Sequence, residues 1–375
     1  MATIIVEPTH ACNAACAYCY AAGRKPGAEP VMSLEILELL FARIDEYLAG
    51  RPREIMGVVW HGGEPLLAGP KFFASAIEFQ RRHCRATGNR IRHAIQSNLT
   101  LLTIEFTGLL KQLGIRTVGS SCDPCTGLRG LGPACDAEAY DQRYREGLAL
   151  LRREGLSAGV IYVVTRPALD QPLEVFHRLM ALPAGGPVDF SPVLLPEGKT
   201  DSLGVTGEEY GAFLGAIFPE WWAKRDRHPE VGPFTLLVKN LSEGVRRLPC
   251  RDSGRCARLY LNLEPDGRLS HCNRTTDCPS LDYGNLRDRT LAEAFADPAR
   301  EALLRRNRVL FEGECRGCRF WPVCHGGCPM DAWLRTGSLM HKSQFCEAKR
   351  TFIERHVEPL IDGCPGLPPA APILP

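Results

Sequence analysis

Cysteine placement constrains this chain more than any other feature. Its 375 residues hold 17 cysteines. Three stand in one short run, Cys12, Cys16 and Cys19, with the spacing C-x3-C-x2-C, and ten fall from Cys250 onward. An odd total excludes a fully paired intrachain disulfide framework. The chain is also far longer than the small secreted domains that need such staples. The pattern points to metal held by thiolates, and a reducing compartment keeps thiolates available for that.

The remaining composition excludes several classes. Lys+Arg is 45 and Asp+Glu is 43, a net charge of +2, which gives no electrostatic case for nucleic acid or an anionic membrane. No segment approaches the ~18 apolar residues of a membrane span. The N-terminus has no basic region, and its apolar run is only Ile4-Ile5-Val6, so no signal peptide is expected. These readings predict a cytoplasmic protein that contacts neither membrane nor nucleic acid.

The first two hundred residues alternate short apolar runs with stretches of helical periodicity. Strands are expected at Ile4–Val6, Gly57–Trp60, Arg92–Gln96, Thr117–Ser120, Val160–Val164 and Val188–Leu195. Helices are expected over Ser33–Leu48, Pro70–Arg82, Ile104–Leu113, Glu138–Glu154 and Pro172–Ala181. About six β/α units predict an α/β fold, an open partial (β/α)6 barrel with parallel strands. In barrels of this kind chemistry sits at the carboxyl ends of the strands. The pattern stops near Leu195, and a helix with Tyr210, Phe213, Ile217 and Trp221 follows. From Cys250 periodicity weakens, as in a small domain held by metal rather than by a large core. The expected division is 1–205 barrel, 206–248 helical linker, 249–350 cysteine-rich domain, and 351–375 helix remnant and Pro-rich tail.

Cys12, Cys16 and Cys19 follow the first strand. Zinc generally takes four ligands, whereas three close thiolates leave one iron of a [4Fe–4S] cube open. Gly62-Gly63-Glu64-Pro65 follows the second strand. Glycine there permits close backbone approach, and the segment can offer carbonyls and a carboxylate to an ammonium. Ser97-Asn98-Leu99-Thr100 follows the third strand, and Ser121-Cys122-Asp123 the fourth. Later come Cys250-x5-Cys256, Cys272, then Cys315-x2-Cys318-x5-Cys324-x3-Cys328, and Cys346. These eight cysteines suffice for two four-thiolate sites, and spacing alone suits zinc or iron–sulfur.

Together these motifs resemble those of the radical S-adenosylmethionine (SAM) enzymes, whose signature is C-x3-C-x-aromatic-C, with Tyr18 in the aromatic place. The resemblance implies a [4Fe–4S] cluster on Cys12, Cys16 and Cys19 that cleaves SAM to a 5′-deoxyadenosyl radical. Gly62, Gly63 and Glu64 would bind the SAM amino group, Asn98 its ribose or carboxylate, Ser121 would be a further contact, and Arg129 would pair with the carboxylate. Leu99 stands where the family has Gly. The later cysteines resemble the SPASM extension, which holds two auxiliary [4Fe–4S] clusters. By that pattern one would use Cys250, Cys256, Cys272 and Cys328, and the other Cys315, Cys318, Cys324 and Cys346. Three clusters and SAM are thus the expected cofactors.

SPASM enzymes mostly modify peptides or proteins. The main expectation is an oxidative crosslink or related two-electron oxidation on a ribosomally made (RiPP) precursor peptide. The alternatives are formylglycine formation on a protein Cys or Ser, as in anaerobic sulfatase maturases, and peptide epimerisation. Those maturases place an aspartate after the third cysteine of the first auxiliary set, and Asn273 stands there. Because Cys12 leaves no room for an N-terminal peptide-binding domain, a leader peptide is expected to bind the barrel, the Phe213–Leu237 region or a separate protein, and a leader-binding protein of that kind is an expected partner. So is a flavodoxin or ferredoxin electron donor. Asp123, near the expected barrel mouth, is the candidate proton acceptor. Cys122 and Cys125 are read as small buried thiols, and Trp221-Trp222 as a buried aromatic helix end.

Overall fold

The computed structural model describes residues 1–21, 30–195, 202–245, 247–274 and 278–361. The Pro-rich tail 363–375 with Cys364, and most of the polar stretch 196–206, lie outside them. Six strands in succession each precede a helix. They are β1 (Ala2–Val6), β2 (Met56–Trp60), β3 (Ile91–Ile95), β4 (Thr117–Ser121), β5 (Ser157–Val164) and β6 (Gly185–Pro192). The helices are α1 (Leu34–Ala49), α2 (Pro70–His83), α3 (Ile104–Gln112), α4 (Ala137–Arg153), α5 (Pro172–Met180) and α6 (Gly207–Ala223). Local signals set the starts. Ser33 caps α1 by accepting from the Ile36 amide, and Thr206 with Glu209 forms a capping box on α6.

Residue pairs cluster into two compact units. Unit 1 comprises Met1–Ser121, Leu128–Gly159 and Arg258–Arg300, and unit 2 comprises Cys122–Gly127, Val160–Ala257 and Glu301–Pro375. In unit 1, β1 pairs in parallel with β2, and β2 with β3. A parallel bridge from Gln96 to Gly119 carries this arrangement toward β4. On its other side β1 pairs in parallel with β8 (Tyr260–Leu263), which continues antiparallel into β9 (Arg268–Ser270) and β10 (Asp282–Asn285). The second sheet runs β4–β5–β6–β7, with β7 at Val231–Gly232. The expected β/α alternation is therefore present. The three strands after Cys256 are an addition that the sequence reading treated as irregular.

The core of unit 1 is built on Trp60, which is fully buried. It stacks on His93 with centroids 5.9 Å apart and meets Phe73 edge-on at 5.5 Å. Such pairs add about 0.5–1.5 kcal/mol each beyond area burial. In unit 2, Phe190, Phe213, Phe218, Trp221, Phe234 and Phe352 form a continuous aromatic core. Trp221 is buried there, and Arg225 lies over Trp222 at 4.2 Å. The reading of this pair as a buried helix end holds for Trp221, whereas Trp222 is half-buried. Among the described residues no helix is long and apolar enough to cross a membrane.

Candidate active site

The cysteine loop leaves the carboxyl end of β1 and is stitched by its backbone to the segment Leu128–Gly132. The Ala15 amide donates to the Gly130 carbonyl and the Ala17 amide to that of Leu128, both at 2.9 Å. The Gly132 amide donates back to Asn13 at 2.9 Å. These bonds fix a loop that would otherwise carry unpaired backbone groups. Burial pushes the Cys12 thiol up to about 11, and the charges of Glu64, Cys16 and Cys19 add to it. Burial also raises Cys16, while the nearby Arg129 guanidinium opposes the rise.

Gly62 and Gly63 pack directly on this loop. A Cβ on Gly62, at φ +103°, would stand 2.4 Å from the Thr9 carbonyl oxygen, and one on Gly63 would stand 2.1 Å from that of Ala11. The Gly63 and Glu64 amides donate to those same carbonyls at 3.0 and 2.8 Å. The close approach expected of these glycines is thus made to the protein's own backbone. Glu64 is almost fully buried, and burial pushes its carboxyl up to about 7. It accepts from the Leu66 amide at 3.0 Å, the Ser97 hydroxyl at 2.9 Å and the Asn98 amide at 2.7 Å. Its carboxylate ties the β2 loop to the β3 loop.

Asn98 reaches back to the cysteine loop. Its Nδ2 donates to Asn13 Oδ1 at 2.8 Å and faces Cys12 Sγ at 3.9 Å. Its Oδ1 accepts from the Thr100 amide and hydroxyl. Leu99 does adopt the left-handed backbone that glycine would favour, at φ +64°. Ser121 Oγ accepts from Gln96 Nε2 at 3.3 Å. Arg129 holds two tyrosines: Nε and Nη2 donate to the Tyr140 hydroxyl at 2.9 and 2.6 Å, and Nη1 to that of Tyr18 at 3.2 Å. Cys12, Cys16, Tyr18, Glu64, Asn98 and Arg129 are therefore one connected constellation. Sequence reasoning missed Asn13, Gln96 and Tyr140, which act only through these contacts. It also passed over Cys135, whose thiol donates to the Ala15 carbonyl at 3.0 Å.

Asp123 is buried, and both its oxygens serve the turn that follows: Oδ1 accepts from the Cys125 and Thr126 amides, and Oδ2 from the Thr126 hydroxyl. That is a turn-capping role, and among the described residues these are its hydrogen bonds. In unit 2, burial pushes Cys315 up to about 12, and the charges of Cys346, Cys324 and Cys318 raise it further. Burial likewise lifts Cys324 to about 11. Cys315 thus lies within electrostatic reach of the other three cysteines assigned by resemblance to the same auxiliary cluster. Cys250, Cys256 and Cys328 also belong to unit 2, and Cys272 to unit 1.

Among the described residues no three His, Cys, Asp or Glu side chains are already gathered to hold a metal ion. The fit rests on the chemistry of the donors. Thiols that raise one another's pKa by mutual repulsion are the set that a cationic iron–sulfur core would deprotonate and relieve. In the N-terminal loop that set has three members, one short of a closed cube.

Residues 6–180 match the model of the radical SAM superfamily. The serine-type anaerobic sulfatase-maturating enzyme of Bacteroides thetaiotaomicron is 27% identical over 96% of this chain and 90% of its own length. That of Klebsiella aerogenes is 29% identical over 87% of this chain and 79% of its own. Native anSMEcpe, solved with bound AdoMet and Cp18Cys peptide, shares the fold at a TM-score of 0.81 and 22% identity, with 96% and 97% of the two chains covered. Streptococcus suis SuiB bound to precursor peptide SuiA aligns at 0.63 and 13% identity, covering 92% and 75%. These likenesses favour the maturase alternative over the expectation of peptide crosslinking. With its cysteine loop, its glycine-rich β2 loop and this match, the domain over residues 6–180 belongs to the radical SAM superfamily.

Proposed function

We propose that this chain is a radical SAM maturase that oxidises a cysteine or serine side chain of a protein substrate, in the manner of anaerobic sulfatase maturation. The observation that carries the reading is the extent of similarity to a sulfatase-maturating enzyme, which spans 96% of this chain. That likeness runs through both cysteine-bearing regions, so it outweighs the single departure at Asn273. It also supports three [4Fe–4S] clusters, one on Cys12, Cys16 and Cys19 and two on the eight later cysteines.

When bound, the N-terminal cluster and SAM supply a carbon-centred radical that abstracts hydrogen from an unactivated C–H bond. The protein's part is to bind, orient and keep water out. The β2 and β3 loops, locked together through Glu64, would present the Gly62–Gly63 backbone and Asn98 to SAM. Arg129, held planar by Tyr18 and Tyr140, would pair with a carboxylate as a fork. Ser121, placed by Gln96, would be a further contact. Overall the substrate carbon loses one hydrogen atom, its radical passes one electron to the auxiliary clusters proposed above, and the hydroxyl or thiol loses one proton. A thioaldehyde formed from cysteine then exchanges sulfur for oxygen with water, releasing hydrogen sulfide.

The proton needs an acceptor, and Asn273 is not one at neutral pH. Its Nδ2 instead donates to the Tyr20 hydroxyl at 2.6 Å. The amide at this position is the observation that favours the second reading, an oxidative crosslink on a ribosomally made peptide, where another group would take the proton. An electron donor of the flavodoxin or ferredoxin type serves either reading, and a separate leader-binding protein is a candidate partner under the second. Incubation of reconstituted protein with SAM, reductant and serine- and cysteine-type sulfatase peptides separates them. An aldehyde on the peptide supports maturation. Loss of two hydrogens without an aldehyde on a ribosomal precursor, and none on the sulfatase peptides, supports crosslinking.

A further inference from the structure

A buried charge needs an opposite charge or a full set of hydrogen bonds. Arg306, on the helix Glu301–Glu312 of unit 2, is 2% exposed. Its Nε donates to the Leu339 carbonyl at 2.7 Å, Nη1 to that of Gly327 at 3.0 Å, and Nη2 to those of Gly326 at 3.2 Å and His341 at 2.8 Å. All four acceptors are neutral. The neighbouring Arg305 pairs with Glu301 at 3.5 Å, whereas Arg306 makes no ion pair among the described residues.

Four thiols act electrostatically on this cation. Burial disfavours its charge, and the thiols that favour it are those of Cys328, Cys256, Cys315 and Cys324. The Gly326 and Gly327 carbonyls that it binds lie between Cys324 and Cys328 in sequence. A Cβ on Gly326 would stand 3.7 Å from Cys315 Sγ, so the guanidinium's own acceptor loop runs against a third thiol. Among the other cations near these thiols, Lys349 is engaged by Asp252 at 2.7 Å, and Lys342 and Arg350 act on Cys346, with Lys342 acting also on Cys315.

We infer that Arg306 is the built-in counter-cation of the auxiliary iron–sulfur sites, lying beside thiols of both four-cysteine sets and holding their reduction potentials up. The inference rests on the cluster assignment proposed above. A cube with four thiolates carries net negative charge and gains more on reduction. A fixed cation in a poorly solvated place therefore favours the reduced form. Arginine suits this place because it stays charged when buried and its planar fork can satisfy several carbonyls at once. Arg306 is a positioning residue: it makes an electron leaving the substrate easier to accept.

The test is redox titration monitored by electron paramagnetic resonance, on anaerobically reconstituted wild type, Arg306→Gln and Arg306→Lys, with iron counted in each. Arg306→Gln is expected to retain iron while its auxiliary signals move to more negative potential and the SAM-responsive signal stays in place. Arg306→Lys is expected to stay near wild type, because it keeps the charge. Unshifted auxiliary potentials in Arg306→Gln at full iron would overturn the inference. So would an Arg306→Lys protein that shifts or loses iron as the glutamine variant does, since the carbonyl fork and not the charge would then matter. Should Arg306→Gln fail to fold, Arg306→Lys decides alone: full iron at wild-type potential supports the inference, and anything else overturns it. Iron in a protein carrying Cys12→Ala, Cys16→Ala and Cys19→Ala checks the underlying assignment separately. Its absence there removes the auxiliary clusters and the inference together, before any Arg306 variant is considered.

Discussion

Glu64 Oε2 accepts the Asn98 backbone amide at 2.7 Å, joining the loops after β2 and β3 where both meet the cysteine loop. With the Leu66 amide and Ser97 hydroxyl on Oε1, this one carboxyl satisfies three donors. Hydrogen bonds to charged groups are worth about 1.5–3 kcal/mol each, and buried donors left unsatisfied cost a similar amount. Glu64→Ala should therefore lose about 3 kcal/mol of unfolding free energy in urea titration, discounting for relaxation. A loss under about 0.5 kcal/mol, the range of an ordinary surface substitution, would contradict the role given to this residue.

Leu99 sets strain against burial. Its φ of +64° costs about 1–2 kcal/mol relative to glycine. Yet its side chain is buried, and its backbone packs on Gly147, where a Cβ would come within 2.6 Å of the Leu99 carbonyl oxygen. Truncating a buried leucine costs about 2–5 kcal/mol, so burial wins. Leu99→Gly should destabilise by about 1–3 kcal/mol once the strain relief is subtracted. A variant more stable than wild type would show that strain dominates.

His93 should give stability an acid limb. Its Nε2 pairs with Gln80 Oε1 at 2.7 Å, while Nδ1 is buried and has no hydrogen-bond partner among the described residues. A proton on Nδ1 would have nothing to bond, and burial lowers the pKa to about 4. The unfolded value is near 6.5, so the folded state binds fewer protons between the two. This stabilisation is present above about pH 6.5 and is lost as pH falls toward 4, by up to about 3 kcal/mol in total. His93→Phe, which keeps an aromatic ring against Trp60, should flatten that limb in urea titrations from pH 7 to 4. An unchanged slope would assign the limb to other groups.

Arg129 tests the cofactor pocket. If its fork takes the SAM carboxylate, Arg129→Gln should weaken anaerobic SAM binding by about tenfold, or 1.4 kcal/mol. Tyr140→Phe, which removes only the hydroxyl that accepts from Nε and Nη2, should have a smaller effect. Equal affinity in wild type and Arg129→Gln would leave the guanidinium with a structural task alone, bracing Tyr18 and Tyr140 around the cysteine loop.

The β/α alternation was legible because its signals are local: apolar periodicity, and a motif after each of the first four strands. What was hidden is long-range. β8 is four residues, Tyr-Leu-Asn-Leu, and its partner β1 lies more than 250 residues away in register Thr3 with Tyr260. No short window announces such a pairing. Gly62 and Gly63 could be read as sites of close approach, but not that the approaching atoms are the carbonyls of Thr9 and Ala11. Arg129 could be read as a fork for a carboxylate, but not that the hydroxyls of Tyr18 and Tyr140 already take its donors. Arg306 carried no motif at all, because its meaning lies in four carbonyls drawn from residues 326–341.

The central claim is oxidation of a protein side chain to an aldehyde. Anaerobically reconstituted protein should be incubated with SAM, a reductant and a peptide spanning the cysteine or serine of a sulfatase active site. The product is then probed by mass spectrometry with and without an aldehyde-reactive hydrazide. The account predicts a hydrazide-reactive peptide that forms only with SAM and is abolished by Cys16→Ala. SAM cleavage without any hydrazide-reactive product, on serine and cysteine peptides alike, would contradict it.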